Sequence, residues 1–343
     1  MLLIPWTSAL VISADEPYEF SKATLLSHGW TLYDPVWSDQ PPIHTWLLSW
    51  AIQLFDQPVI GARLLAFGFS SLLLFGVGRL IALYHGKWAG LMGMLLLVLA
   101  PHMMELMASA TLMVPVMSIG VLSVMAFAMH VQTGRIRYMI LSGVCMGIAL
   151  QIKLTAFILI PAIVLQCIWL KRVLPKNRFR EVLVYWMVSL IILYTLPFLM
   201  FPEMNSEHLL STHFSDFSGL NFQGMYYDTF DARLLMDQPE CVSGLLVGCL
   251  LLRRWSSRKH LILPLVWLLS CVLIHSMHQP FWWYYTLHFS IPICWITAAA
   301  WERSLRSFWS QNQVLHKEFL CLYEITISQL LPIHIFILFQ LLV

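Results

Sequence analysis

Charge is what this 343-residue chain has least of: Asp, Glu, Lys and Arg make up only 11% of it, against 59% hydrophobic residues. A soluble domain carries roughly 25% charged residues, so there are too few here to solvate a globule of this size. A mean hydropathy of +0.73 points the same way. This scarcity excludes an ordinary soluble enzyme, a nucleic-acid binder and a disordered tail. Metal and disulfide spacing is also missing. The seven cysteines are an odd number, and Cys145, Cys167, Cys249, Cys271 and Cys294 lie in apolar stretches with no CxxC or Cys/His ligand pattern. They read as small buried apolar residues, which excludes a disulfide-stapled secreted domain. The opening MLLIPWTSALVIS lacks the basic flank of a cleavable signal and reads as a short first span. The class that remains is an all-α, multi-spanning membrane protein.

Apolar runs separated by short charged clusters predict about ten spans, at 1–14, 58–84, 88–104, 108–131, 138–152, 155–170, 181–201, 239–252, 261–277 and 281–300. The tail 311–343 is uncertain; its apolar part, 319–343, is an optional eleventh span, weakened by Glu324 and Pro332. Residues 1–310 form one membrane domain in this reading. Several spans are shorter than the roughly 20 residues that a perpendicular helix needs. Charge placement orients the bundle. Sixteen of the 20 basic residues fall on one face, among them Arg79, Lys87, Arg135, Arg137, Lys171, Arg172, Lys176, Arg303 and Arg306. Fourteen of the 18 acids fall on the other. The positive-inside rule makes the basic face cytoplasmic.

Two loops on the acidic face exceed the usual connection length of a few residues: 15–57 and 202–238. The first contains two helical pieces too short to span, PYEFSKATLLSHG and PPIHTWLLSWAIQLF, both rich in aromatics and suited to the membrane interface. It also holds the densest polar chemistry, Asp15-Glu16, Tyr33-Asp34 and Asp39-Gln40-Pro41-Pro42. A carboxylate at the mouth of a membrane helix has two readings. It caps the next helix as a solvated acid, or it is a general base whose pKa is raised by partial burial.

The series Asp15-Glu16, Ala23 and Gly29, Tyr33 and Trp37, Asp39-Gln40-Pro41-Pro42 and Ala62-Arg63-Leu64 resembles, in order, the opening of the GT-C membrane glycosyltransferases. The branch it looks most like includes the protein O-mannosyltransferases and the bacterial lipid A aminoarabinose transferase. Further on, SGVCMGIALQIKLTAF, which holds Lys153, and HQPFWWYYTLHFSIPI resemble later segments of those enzymes. The resemblance implies an inverting transfer of a sugar from a polyprenyl-phosphate donor to a glycan, lipid or protein acceptor. It places this at the external face of the inner membrane, in lipopolysaccharide or cell-envelope glycan modification. It makes Asp15 the catalytic base. Lys153, and after it Arg63, would offset the charge of the departing phosphate, since a cation left in an apolar segment is a functional suspect. The resemblance places Glu16, Asp39, Tyr284 and Tyr285 among the substrate-binding residues.

The residues themselves leave other roles open. Lys153 could snorkel to the interface, Arg63 could pair with a nearby acid, and the Phe-Trp-Trp-Tyr-Tyr run could be an interfacial belt. No cofactor is implied and no metal ligands are assigned, although a divalent metal stays open. His275 and His278 have an i, i+3 spacing without a third ligand. The bilayer and the lipid-linked donor are the expected partners, and no nucleic acid is. Two other readings are a transporter or flippase of a lipid-linked saccharide and an inactive, truncated family member.

Overall fold

A computed structural model of the chain describes residues 15–100, 102–201, 204, 261–277 and 282–311, with no side chain described at 173, 200, 277 and 307–311. The expected span 1–14, most of the loop 202–238, the span 239–252 and the tail beyond Gln311 lie outside these residues. What is described is a bundle of α-helices without a strand; the one ladder contact is an isolated bridge between Leu32 and Val36.

The first acidic-face loop folds as expected into two short helices, α1 (Glu16–Ser27) and α2 (Ile43–Gln53). Pro17 sits in the first turn of α1, where its missing N–H costs nothing, beside the favourable acids Glu16 and Glu19. At 12 residues α1 is about 18 Å long, too short to cross a bilayer core of about 30 Å. Then come α3 (Pro58–His85), α4 (Lys87–Leu99), α5 (Met103–Ala108), α6 (Met113–Thr133), α7 (Ile136–Leu150), α8 (Ile160–Val173) and α9 (Lys176–Met200). Past the undescribed stretch stand α10 (Ile262–Met277) and α11 (Thr286–Gln311). Four stretches are long and apolar enough to span by length and composition: Pro58–His85, Met113–Thr133, Leu154–Arg172 and Lys176–Leu199. Three shorter apolar helices accompany them, Lys87–Leu99, Ile136–Leu150 and Ile262–Ser276.

The span expected at 88–104 is split. Ala100 is extended, at φ −63° and ψ 145°, because the residue before a proline is pushed out of the helical region. The chain then restarts as α5. The span expected at 108–131 begins later, at Met113, with Pro115 in its first turn. Residues 109–112 are left as a non-helical approach to α6.

In the bundle α3 packs on α4 and α6, α6 on α7 and α7 on α9, while α11 closes it against α4 and α10. Their shared core runs from Leu73, Val77 and Ile81 of α3 through Phe127 of α6 to Trp267 of α10 and Trp295 of α11. The outward face of α9 carries Val184, Met187, Val188, Ile191, Ile192, Leu196 and Leu199, all exposed. A water-facing helix would not spend its surface so; this is a face for lipid tails. The turns 86 and 134 gather Lys87, Arg135 and Arg137 at one end, where the Arg306 guanidinium of α11 also lies beside Gly86. Asp15, Asp39, Lys153 and Tyr284 gather at the other end. The separation of charge seen in the sequence is therefore also a separation in space.

Candidate active site

Three tethers build the acidic end. The first is a buried ion pair between Glu16 of α1 and Arg63 of α3, 1% and 3% exposed. Arg63 Nη2 donates to Glu16 Oε2 at 3.1 Å, and Nη1 donates to the Ala108 carbonyl at 3.0 Å. Glu16 Oε1 also accepts the Ala110 N–H at 2.6 Å. One carboxylate thus binds α1, α3 and the approach to α6. The second tether is apolar: Ala23, Leu48, Ile52, Ala62 and Ala110 form a small separate core where α1, α2 and α3 meet. The third is a hydrogen bond from the Ile43 N–H, at the start of α2, to the Gln151 carbonyl at the end of α7, 3.2 Å away. It brings the Asp39–Pro42 segment next to Lys153.

Asp15 stands at the N-cap position of α1 and makes no side-chain capping bond. Its carboxylate instead accepts a hydrogen bond from the Tyr284 hydroxyl. The solvated-cap reading of Asp15 does not describe this structure. Lys153 faces Asp15 from the break between α7 and the 3-10 turn Leu154–Leu159. Its ammonium lies 4.6 Å from the ring centre of Tyr284 and 5.4 Å from that of Tyr285, a cation–π cradle. Lys153 is 5% exposed and does not snorkel outward. Tyr284 and Tyr285 are buried and turned inward, so this part of the aromatic run is not an exposed belt. Asp39 is half-buried and accepts the Gln40 side-chain amide at 2.9 Å. Its charge reaches both Asp15 and Lys153.

The electrostatics follow from this enclosure. Burial pushes the Asp15 carboxyl above the usual carboxylate range, and Glu19 and Asp39 add to the rise. The Lys153 charge and the Tyr284 hydroxyl act in the opposite direction and are outweighed. Burial pushes the Lys153 ammonium down, while Asp15, Asp39 and Glu19 oppose that. A carboxyl pushed upward and an ammonium pushed downward thus act on each other, and Tyr284 touches both.

Of the residues expected at the site, Asp15, Asp39, Lys153, Tyr284 and Tyr285 come together. Glu16 and Arg63 adjoin them but are engaged with each other. Glu105 is half-buried, 3.8 Å from the ring nitrogen of His102, whose ring packs 5.3 Å from that of Trp283. Met113 is in the core at 1% exposed. His275 pairs with His288, Nε2 to Nδ1 at 2.9 Å, and His278 lies outside the described residues. No group of three His, Cys, Asp or Glu side chains among the described residues is arranged to hold a metal ion.

Two participants were not singled out in the sequence. Glu19 and Lys22, 4% and 8% exposed, form a buried pair at 2.8 Å on the Asp15 face of α1. The charge of Glu19 is felt at Asp15, Tyr33, His44 and Lys153. The spacing i, i+4, i+7 from Asp15 was the signal available, since it puts all three on one helix face.

A family model for dolichyl-phosphate-mannose-protein mannosyltransferase matches residues 39–201, a little under half of the chain, including Asp39, Arg63 and Lys153. The fold is similar to that of ArnT from Cupriavidus metallidurans, solved bound to undecaprenyl phosphate. The TM-score is 0.64 at 19% identity, over 87% of this chain and 57% of that one. It is also similar to the Archaeoglobus fulgidus oligosaccharyltransferase in its apo form, with TM-score 0.60, 12% identity, and 92% and 49% of the two chains. The fold is that of these GT-C membrane transferases. A third likeness is to the arabinosyltransferase EmbB from Mycobacterium smegmatis, with TM-score 0.57, 12% identity, and 84% and 28% of the two chains. The chain thus spans just over half the length of ArnT and less of the others. Among curated proteins no sequence match is found. The GT-C fold and the candidate spans make this a multi-pass membrane protein.

Proposed function

We propose that this protein transfers a sugar from a polyprenyl-phosphate donor to an acceptor hydroxyl at the external face of the inner membrane, with inversion at the anomeric carbon. One observation carries the reading: Asp15, bound by Tyr284, faces Lys153 in its cradle of Tyr284 and Tyr285. Asp15 takes the acceptor proton as the acceptor oxygen attacks the anomeric carbon on the face opposite the phosphate. The bond from that carbon to the phosphate oxygen breaks, and its electron pair leaves with the polyprenyl phosphate. Lys153 balances the charge that develops there, in surroundings dry enough to make a fixed cation effective. The undecaprenyl phosphate of the ArnT structure supports a donor of this class. A lipid-linked donor also explains a polar site built at the end of an apolar bundle. Asp39 would orient Lys153 or bind the sugar.

Asp15→Asn keeps the shape and removes the base. Membranes carrying it should insert the protein normally and transfer sugar from radiolabelled polyprenyl-phosphate sugars at least about a hundredfold more slowly. Transfer at the unaltered rate would overturn the assignment of Asp15.

A further inference from the structure

The buried pair Glu19–Lys22 lies beside the reaction centre with much of its bonding capacity unused. Among the described residues Lys22 Nζ has a single hydrogen-bond partner, Glu19 Oε1 at 2.8 Å, and an ammonium offers three protons. Glu19 accepts that bond and a long one, 3.4 Å, from the Thr45 hydroxyl, while a carboxylate has about four acceptor positions. His44, 1% exposed on α2, donates from Nε2 to the Ala110 carbonyl at 3.3 Å, which leaves an acceptor at Nδ1 with no partner. The Thr45 bond to Glu19 brings the start of α2, with His44, against that pair, and both charges act on the imidazole, so the three form one cluster. Buried polar groups are rarely left in this condition unless something else binds them.

What fits is a group that donates and accepts at once, repeated at short spacing. Ammonium protons need acceptors, whereas the carboxylate lone pairs and the imidazole nitrogen need donors. Adjacent sugar hydroxyls supply both. An acidic group does not fit, because Glu19 neutralises Lys22 and Asp15 and Asp39 add negative charge around it. Resting on the transferase reading above, we infer that Glu19, Lys22 and His44 form the subsite that grips vicinal hydroxyls of a neutral sugar on the donor. Lys153 holds the phosphate, α1 and α2 read the sugar, and Asp15 lies between them.

The test separates sugar from lipid. The full chain, in lipid nanodiscs, is titrated with undecaprenyl phosphate without sugar and with its glucose, mannose and galactose esters. The unaltered protein should bind at least one ester about tenfold or more tightly than the sugar-free lipid. The double variant Glu19→Gln, Lys22→Met, which strands no charge, should erase that difference and leave affinity for the sugar-free lipid within about threefold, with a melting temperature close to that of the unaltered protein. A pair that only supports the fold would instead weaken both ligands together and lower the melting temperature, and that outcome overturns the subsite. So does an unaltered protein that binds the sugar-free lipid and every ester equally. If the unaltered protein binds none of the four, the transferase reading falls and takes the subsite with it.

Discussion

At the scale of single residues, the opposed displacements of Asp15 and Lys153 have a consequence for pH. In the proposed mechanism Asp15 works ionised, and burial raises its pKa, so activity should be lost as pH falls through a value above the ordinary ~3.9 of an aspartate. Lys153 in that mechanism works charged, and burial lowers its pKa, so activity should be lost as pH rises through a value below the ordinary ~10.4 of a lysine. The profile of kcat/KM should therefore be a bell, whose two inflections belong to the coupled pair. Lys153→Arg keeps the charge to far higher pH and should remove the alkaline limb while the acid limb stays. An alkaline limb unmoved by Lys153→Arg would assign it to another group. These two residues were legible in the sequence because each is conspicuous alone, an acid directly after a first span and a cation in an apolar stretch. Glu19 and Lys22 were not, since in sequence they look like any solvated pair on a short amphipathic helix.

Among the elements, the joint between α1 and α3 rests on one carboxylate and one guanidinium. Removing either partner leaves the other charge buried at 1–3% exposure, a loss of about 3–5 kcal/mol by the general cost of breaking such pairs. Arg63→Met and Glu16→Gln should each lower the thermal midpoint of the purified protein clearly. The double variant should fall by less than the sum, because it strands no full charge. Additive losses would mean that the two side chains act separately. Helix existence was readable from apolar periodicity, and α3, α6 and α7 formed close to where the pattern put them. The break between α4 and α5 follows from Pro101, a local signal that hydropathy averages away. The sequence marks the partner of Arg63 only as a nearby acid, because a contact between residues 47 positions apart leaves no periodic trace. Tyr284 and Tyr285 were ambiguous for a related reason. Their sequence gives an aromatic run, and only packing decides whether its rings face lipid or Lys153.

For the whole molecule, the two ends of the bundle differ in charge, and that asymmetry predicts sidedness. In a variant stripped of its seven native cysteines, His28→Cys at the acidic end should react with an impermeant maleimide applied to intact cells. Thr133→Cys at the basic end should react only after the membrane is permeabilised. Both positions are exposed. The reverse pattern would put the site on the cytoplasmic side and overturn the proposed donor geometry. The placement of Tyr284 has a further consequence, for synthesis. Asp15 lies at the start of the described chain, and its hydrogen-bond donor comes from the segment leading into α11, the last described helix. A nascent chain therefore carries Asp15 and Lys153 through most of its insertion without the tyrosines that join them. On the transferase reading, the proposed site stays unassembled until the segment leading into α11 is in place.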